Sequence, residues 1–343
     1  MVTTGPVPFR PWRSRAPRPP RSHAPRAGVL PLAAIIASMT SVQVGAALSV
    51  PLFGTFGVAG TTWLRLALAA AILLVVARPT RIARRDLPAA ALLGVVTAVN
   101  SVTFALATDR IPLGVTVAVE FCGPLGVAIA RAHGSGLRRL AWPALAFAGV
   151  LLLTQPWTIG ANAARTWSGL GLAATAGVGW AAYIVLTAHV GQRSEGLTGL
   201  AVALTAATLA LLPLGGPPVW TALRAGHGSG TVLRALAICG LAALLVPLAS
   251  YSLEMVALRS LDQGVFGVWM ALEPAIGTLV GMAVLAQRPS GWQLAGVVLV
   301  VGAGVGVQRA AMGRASGTTA GQPGGGVPEP VLPPDWAAST APP

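Results

Sequence analysis

The chain has 343 residues, of which 54% are hydrophobic and only 9% charged, with a mean hydropathy of +0.72. Soluble domains carry about 25% charged residues, so this composition excludes a water-soluble protein and indicates an integral membrane protein. The net charge of +14 comes from 23 arginines without a lysine, which excludes a Walker A phosphate-binding loop and any lysine-bound cofactor. The arginines lie in a tail and in short loops without interleaved aromatic residues, so we do not expect nucleic-acid binding.

Both ends of the chain are rich in proline, glycine and other loop-forming residues, and both are predicted to be disordered. The first tail covers residues 1–29 and the second covers residues 315–343. The apolar run after the first tail has no small-residue cleavage site that stands out from its alanine background. We therefore interpret it as an uncleaved first helix and not as a signal peptide.

Between the tails, apolar stretches recur that are about 20 residues long, which is the length of helix needed to cross a bilayer. The predicted fold class is an all-α polytopic membrane protein with ten transmembrane helices. The predicted spans are residues 30–50, 58–77, 88–107, 112–130, 139–155, 169–189, 197–214, 235–257, 263–285 and 291–308.

The arginines also predict the orientation of the spans, because positively charged loops stay on the cytoplasmic side. With a cytoplasmic amino terminus, 17 of the 23 arginines fall in cytoplasmic segments and five in external ones, and Arg65 lies inside a span. Both termini are therefore expected in the cytoplasm.

Two segments of the chain resemble each other at a distance of 150 residues, which is five spans. IPLGVTVAVEFCGP (Ile111–Pro124) aligns with LDQGVFGVWMALEP (Leu261–Pro274). Because five is odd, the two halves would have opposite orientations in the membrane. We predict two inverted five-helix repeats, residues 30–155 and 169–308, an arrangement typical of secondary transporters.

Five polar or aromatic side chains are predicted at similar depths near the membrane centre: Gln43, Asn100, Glu120, Trp180 and Glu273. A carboxylate at that depth costs about 2.5–3.5 kcal/mol, so both glutamates are expected to face a cavity. The two amides could instead serve as interhelical hydrogen-bonding groups, and the tryptophan could serve packing alone.

Three further polar residues are candidates for the same site. Arg65 lies in the second span at a depth that allows a buried ion pair with Glu120, although it could also extend to the headgroups. Tyr183 follows Trp180 by about one turn. Glu254 lies near the inner end of the eighth span and could alternatively pair with Arg259.

Two prolines inside predicted spans, Pro124 and Pro274, are expected to break their helices. Each frees the carbonyl four residues earlier, that of Glu120 and that of Met270. Freed backbone groups persist in a membrane where a cavity or a neighbour satisfies them. A carboxylate beside such a break suits a small molecule that bears an ammonium group.

Several stretches match a known family: SVQVGAALSVPLF, WLRLALAAAILL, IPLGVTVAVEFCGPL, GWAAYIVL and YSLEMVALRSLDQGVFGVWMALEPAIGTLVGM. On these residues the chain resembles the EamA-type branch of the drug/metabolite transporter superfamily, and within it the threonine/homoserine exporter group. The resemblance implies ten helices in two inverted repeats and a central cavity. The functional positions that it implies are Gln43, Arg65, Asn100, Glu120, Trp180, Tyr183, Glu254 and Glu273.

One position departs from the family pattern. The family usually ends the ninth span with a glutamate after Leu-Gly, whereas this chain has the sequence LAQR, with Gln287 at that place. If the glutamate takes part in proton coupling or in outer gating, this chain differs from its family there.

The expected function is secondary active export of small amino acids, of the threonine/homoserine type, across a bacterial inner membrane. Glu120 or Glu273 would hold the substrate ammonium, and Arg65 or a broken-helix amino terminus would face its carboxylate. Without an ATP site, the energy must come from an ion gradient, with protonation of a buried glutamate as the expected coupling step. The expected partners are the substrate, protons and the lipid bilayer, with a homodimer left open and no cofactor or metal.

Two other function classes remain open from the sequence. A broad-specificity drug or metabolite exporter of the same fold could use Trp180, Trp269 and Tyr183 to hold an aromatic cation. A polytopic membrane enzyme would need a catalytic set, and the four scattered histidines and two cysteines do not form a recognisable one.

Overall fold

The computed structural model describes residues 29–77, 87–131, 138–155, 157, 163–190, 197–225, 229–258, 261 and 263–320. These residues form α-helices joined by short turns, and no β-strand occurs among them. The helices are α1 (Val29–Ser49), α2 (Phe53–Ala77), α3 (Leu87–Thr108), α4 (Leu113–Arg131), α5 (Arg138–Thr154), α6 (Ala163–Val190), α7 (Leu197–Arg224), α8 (Ser229–Ala243), α9 (Ser250–Leu258), α10 (Gln263–Met270), α11 (Glu273–Leu285) and α12 (Gly291–Ala320).

These helices cover the ten predicted spans, because two of the spans are each made of two helices. A π-helical segment, Leu244–Ala249, joins α8 to α9. It frees backbone carbonyls, and the Ser41 hydroxyl on α1 donates to the carbonyl of Leu245 at 2.8 Å. The other divided span is α10 and α11, which are separated by a turn at residues 271–272. Such irregular backbone is tolerated at membrane depth where neighbouring groups satisfy it.

Length and hydropathy mark the described helices as membrane-spanning. Seven stretches are long and apolar enough to cross a bilayer, the first of them covering α1 and α2 together, and two shorter apolar helices accompany them. Large apolar side chains such as Phe147, Trp167 and Val178 lie on the outside of the bundle with more than half of their surface exposed. Exposed apolar faces on this scale suit lipid contact, so the chain is a multi-pass membrane protein.

Packing between the helices places six of them around the centre of the bundle: α1, α3, α4, α6, α9 and α11. Helix α3 packs on α6 and α7, α4 packs on α6 and α11, and α1 packs on α9 and α11. Two long pairs, α2 with α7 and α5 with α12, flank this group. Close approach is achieved at small residues, as is usual between membrane helices.

Some helix limits differ from the prediction. Helix α2 starts before residue 58 and contains Gly57 at φ 70°, ψ 165°, a conformation that glycine adopts without steric cost. Helix α7 continues through three prolines to Arg224, because hydrocarbon offers its backbone groups no other partner. Helix α12 continues to Ala320, into the segment predicted as the second tail. The first tail, up to residue 28, lies outside the described residues.

A polar cavity at the centre of the bundle

A cavity of about 360 Å³ lies between the central helices, within the range of roughly 300–1,000 Å³ that is usual for small-molecule sites. All eight side chains singled out from the sequence line it, although they come from seven helices. They are Gln43 on α1, Arg65 on α2, Asn100 on α3, Glu120 on α4, Trp180 and Tyr183 on α6, Glu254 on α9 and Glu273 on α11.

Glu120 is buried and is held by a side chain from the neighbouring helix. The Asn100 Nδ2 group donates to Glu120 Oε1 at 3.0 Å and to the backbone carbonyl of Ala176 at 2.8 Å. A single amide therefore ties α3, α4 and α6 together at the cavity wall. Asn100 therefore forms hydrogen bonds between helices and also lines the cavity.

The predicted helix break at Pro124 is wrong, because α4 continues through this residue from Leu113 to Arg131. The proline still leaves the carbonyl of Glu120 without its helical donor. That carbonyl faces Gly177 of α6 so closely that a Cβ atom on Gly177 would lie 2.8 Å from its oxygen. Helices α4 and α6 are therefore in close contact at the place where α4 lacks a backbone hydrogen bond.

The break predicted at Pro274 is present. Helix α10 ends at Met270 and α11 begins at Glu273, so the proline lies in the first turn of α11, where its missing N–H costs nothing. Glu273 is only 6% exposed, and the Gln43 Nε2 group donates to its Oε1 at 3.4 Å. The second carboxylate of the cavity is thus placed at a helix amino terminus and contacts α1.

Glu254 is the third carboxylate of the cavity, and a serine from α1 binds it. The buried Ser38 hydroxyl donates to Glu254 Oε1 at 2.9 Å and lies 3.2 Å from the carbonyl oxygen of Ser250. The alternative partner, Arg259, lies outside the described residues. Glu254, Glu120 and Glu273 all line the same cavity.

The ion pair considered between Arg65 and Glu120 is not formed. The Arg65 Nη1 group instead donates to the Ser49 hydroxyl at 3.4 Å. Within the described ranges, the ion pair present is the exposed one between Asp109 and Arg165, at 3.5 Å. Equal depth in the membrane does not fix the direction in which two side chains point. Arg65 therefore contributes a guanidinium to the cavity wall without neutralising a carboxylate directly.

The aromatic side chains of α6 have a packing contact as well as a place at the cavity. Trp180 meets Phe121 of α4 edge to face, with ring centroids 6.4 Å apart and planes at 68°. Tyr183 lines the cavity on the next turn of the same helix. Packing and lining are therefore not exclusive roles for Trp180.

Gln287, the departure from the family pattern, lies away from the cavity. Its Oε1 accepts a hydrogen bond from the backbone N–H of Leu113 at 3.1 Å, at the first residue of α4. It thus connects the end of α11 to the start of α4. A glutamine supplies the same acceptor oxygen there as a glutamate would, without the charge.

Two substitutions of Gln287 test whether the protein needs an acceptor oxygen at this position or a negative charge. We expect Gln287→Ala to lower the free energy of unfolding by about 0.5–2 kcal/mol, as for the loss of an N-cap acceptor. Gln287→Glu should retain or raise stability, because a carboxylate suits a helix amino terminus. Thermal unfolding of the purified variants in detergent measures both effects. Equal melting temperatures for Gln287→Ala and the wild type would contradict the assignment.

Several cavity and supporting residues were not predicted from the sequence. They are small hydroxyl side chains: Ser38, Ser49, Thr97, Ser101 and Ser250. Serine and threonine are frequent throughout the spans, and many of them bond to the carbonyl four residues earlier. No sequence signal separated these five from the others. Among the described residues, no group of three His, Cys, Asp or Glu side chains is arranged to hold a metal ion.

Comparison with known proteins identifies relatives. The EamA-like transporter family matches residues 167–307. The threonine/homoserine exporter RhtA of Salmonella typhimurium (strain SL1344) is 33% identical over 284 residues, which cover 81% of this chain and 90% of the relative. The exporter of the same name from Escherichia coli K12 is 32% identical over 286 residues, with the same coverage. A crystal structure with 20% identity shares the fold at a TM-score of 0.51, over 81% of this chain and 98% of the other.

Proposed function

The chain belongs to the EamA-like transporter family, and from this membership we propose that it is a secondary active exporter of small amino acids, threonine and homoserine among them. It is a multi-pass protein of the bacterial inner membrane. The observation that carries the proposal is the central cavity, whose wall holds three carboxylates and one guanidinium, in a chain one-third identical to threonine/homoserine exporters.

The charges of the cavity suit a zwitterionic amino acid. The substrate ammonium is attracted by a carboxylate of the cavity, Glu120 or Glu273, and the substrate carboxylate by Arg65. A guanidinium offers five N–H donors in a planar fork, and Ser49 takes one of them. Small hydroxyl and amide groups on the same wall can bond to a substrate hydroxyl. Charge and hydrogen bonding together favour a small polar amino acid over an apolar metabolite.

The energy for export comes from an ion gradient. The chain has no lysine and hence no Walker A loop, so it does not hydrolyse ATP by that route. Protons are the proposed coupling ion, since buried carboxylates can take up and release them within a transport cycle.

We also propose that the ten spans form two inverted repeats with both termini in the cytoplasm. The packing supports this arrangement, because contacts recur at a shift of five spans. Helix α3 packs on α6 in the way that the α8–α9 span packs on α1, and α4 packs on α6 in the way that the α10–α11 span packs on α1. The excess of arginines in the loops assigned to the cytoplasm supports the orientation.

A second candidate is a broad-specificity exporter with the same fold. Phe104, Trp180 and Tyr183 on the cavity wall favour it, because aromatic faces attract organic cations.

Growth of a sensitive bacterial strain decides between the two cargo classes. Cells that produce the protein should tolerate inhibitory threonine, homoserine and toxic threonine analogues, and should gain no tolerance to cationic dyes. Tolerance to dyes alone would support the second candidate and contradict the first. An empty-vector strain serves as the reference for both arms.

A further inference from the structure

The three carboxylates of the cavity differ in how their hydrogen bonds are satisfied. Asn100 donates to Glu120 and Ser38 donates to Glu254. Glu273 receives its bond from Gln43 on one oxygen, but its Oε2 is fully enclosed and has no hydrogen-bond partner among the described residues. The same is true of Oε1 of Gln43. Glu273 and Gln43 are hydrogen-bonded to each other, and each has one enclosed acceptor oxygen that receives no hydrogen bond.

Leaving such groups unsatisfied is costly. A buried polar group without a partner costs about 1–3 kcal/mol, and a charged one costs more. One proton on Glu273 Oε2 removes both deficits, because the acid O–H can donate to Gln43 Oε1 while Gln43 Nε2 donates to Glu273 Oε1. The two side chains then form a ring of two hydrogen bonds. Since both atoms are enclosed by protein, a proton is the occupant that fits.

The charged side chains around Glu273 also favour a proton on its carboxyl group. Glu120 on α4 and Glu254 on α9 line the same cavity as Glu273, so negative charge on either of them disfavours negative charge on Glu273. The cationic side chain on the cavity wall, Arg65 on α2, bonds to Ser49 and forms no ion pair with a described carboxylate. A proton on Glu273 lowers by one the number of negative charges that the three carboxylates of the cavity can carry together.

We propose that Glu273 and Gln43 form the proton-binding site of the transporter, and that Glu120 is the carboxylate that receives the substrate ammonium. The assignment of Glu120 rests on the proposed function, whereas the proton site rests on the geometry alone. When an ammonium group binds at Glu120, its positive charge repels the proton of Glu273. Because the Glu273 side chain lines the cavity, a change of its rotamer can expose Oε2, and the proton then passes to the water of the cavity. One positive charge replaces another, which is the exchange that a proton-coupled exporter needs.

Infrared difference spectroscopy of the purified protein tests the proton site without any substrate. A pH titration of the wild type should show the C=O stretch of a protonated carboxylic acid. The band should be lost in Glu273→Gln and retained in the matched variant Glu120→Gln. In Gln43→Leu it should persist at higher frequency, because the acid O–H has lost its acceptor. An unchanged band in Glu273→Gln, or loss of the band in Glu120→Gln, would overturn the proposal.

Proton release on threonine binding tests the exchange. In weakly buffered solution with a pH-sensitive dye, the wild type should release protons when threonine is added. Glu273→Gln should bind threonine by calorimetry but release no proton, and release that persists in this variant would overturn the proposal. If the wild type binds no threonine, the proposed amino-acid substrate fails, and the infrared comparison still decides the proton site.

Discussion

Replacing Glu120 by glutamine is expected to abolish export of threonine and homoserine while leaving folded protein in the membrane. Glutamine has nearly the same shape, and its carbonyl oxygen can still accept the hydrogen bond from Asn100. What disappears is the charge that attracts an ammonium group. A hydrogen bond to a charged partner is worth about 1.5–3 kcal/mol, which corresponds to roughly 10- to 150-fold weaker binding.

The measurement is the initial rate of efflux of radiolabelled amino acid from loaded cells, normalised to the amount of folded protein seen by size-exclusion chromatography. Asp109→Asn provides a matched control, since it also converts a carboxylate to an amide. Asp109 pairs with Arg165 at the surface, outside the cavity, so this variant should export at the wild-type rate. Export at that rate by Glu120→Gln would remove Glu120 from the mechanism.

Adding one methyl group to Gly123 is expected to have the largest effect on stability. The contact between α4 and α6 is formed here by two glycines, and a Cβ atom on Gly123 would lie 1.9 Å from the carbonyl oxygen of Gly177. A backbone carbonyl cannot move away from the added methyl group as a flexible side chain could, so the two helices would have to separate. Overpacking of this kind costs about 1–3 kcal/mol and sometimes more. Gly123→Ala should therefore sharply reduce the melting temperature and the yield of folded protein.

Gly126→Ala is the control for this substitution, because Gly126 lies on the same helix less than one turn away. Apart from the backbone of α4 itself, no atom of the described residues lies within 4 Å of a Cβ placed there, and alanine is about 0.8–1.0 kcal/mol more favourable than glycine in a helix. Gly126→Ala should thus be as stable as the wild type or slightly more stable. Equal melting temperatures for the two alanine variants would show that α4 and α6 do not meet as closely as described.

The grouping of the polar side chains around one cavity follows from counting along the predicted spans. A helix rises 1.5 Å per residue, so counting along each span placed Gln43, Asn100, Glu120 and Glu273 at one level, and the structure places all four on one cavity. Depth does not fix rotation about the helix axis. For that reason the ion pair considered between Arg65 and Glu120 does not form, and Arg65 bonds to Ser49 instead.

The two prolines show a second limit of sequence reasoning. Pro124 and Pro274 occupy equivalent places in the matched segments, yet α4 continues through the first while a turn precedes the second. We attribute the difference to the neighbouring helices, because Gly177 allows α6 to pack closely against α4. Contacts between distant segments of this kind cannot be predicted from the local sequence. The hydroxyl of Ser38, which binds Glu254, was missed for a related reason.

Gradient-driven export of amino acids through the central cavity is tested most directly by one efflux measurement. Cells loaded with radiolabelled threonine or homoserine are followed with and without a protonophore, for the wild type and for an empty-vector strain. We predict rapid efflux that requires both the protein and the proton gradient. Efflux that proceeds at the same rate after the gradient is collapsed would contradict proton coupling. Efflux no faster than in the empty-vector strain would contradict amino-acid export itself.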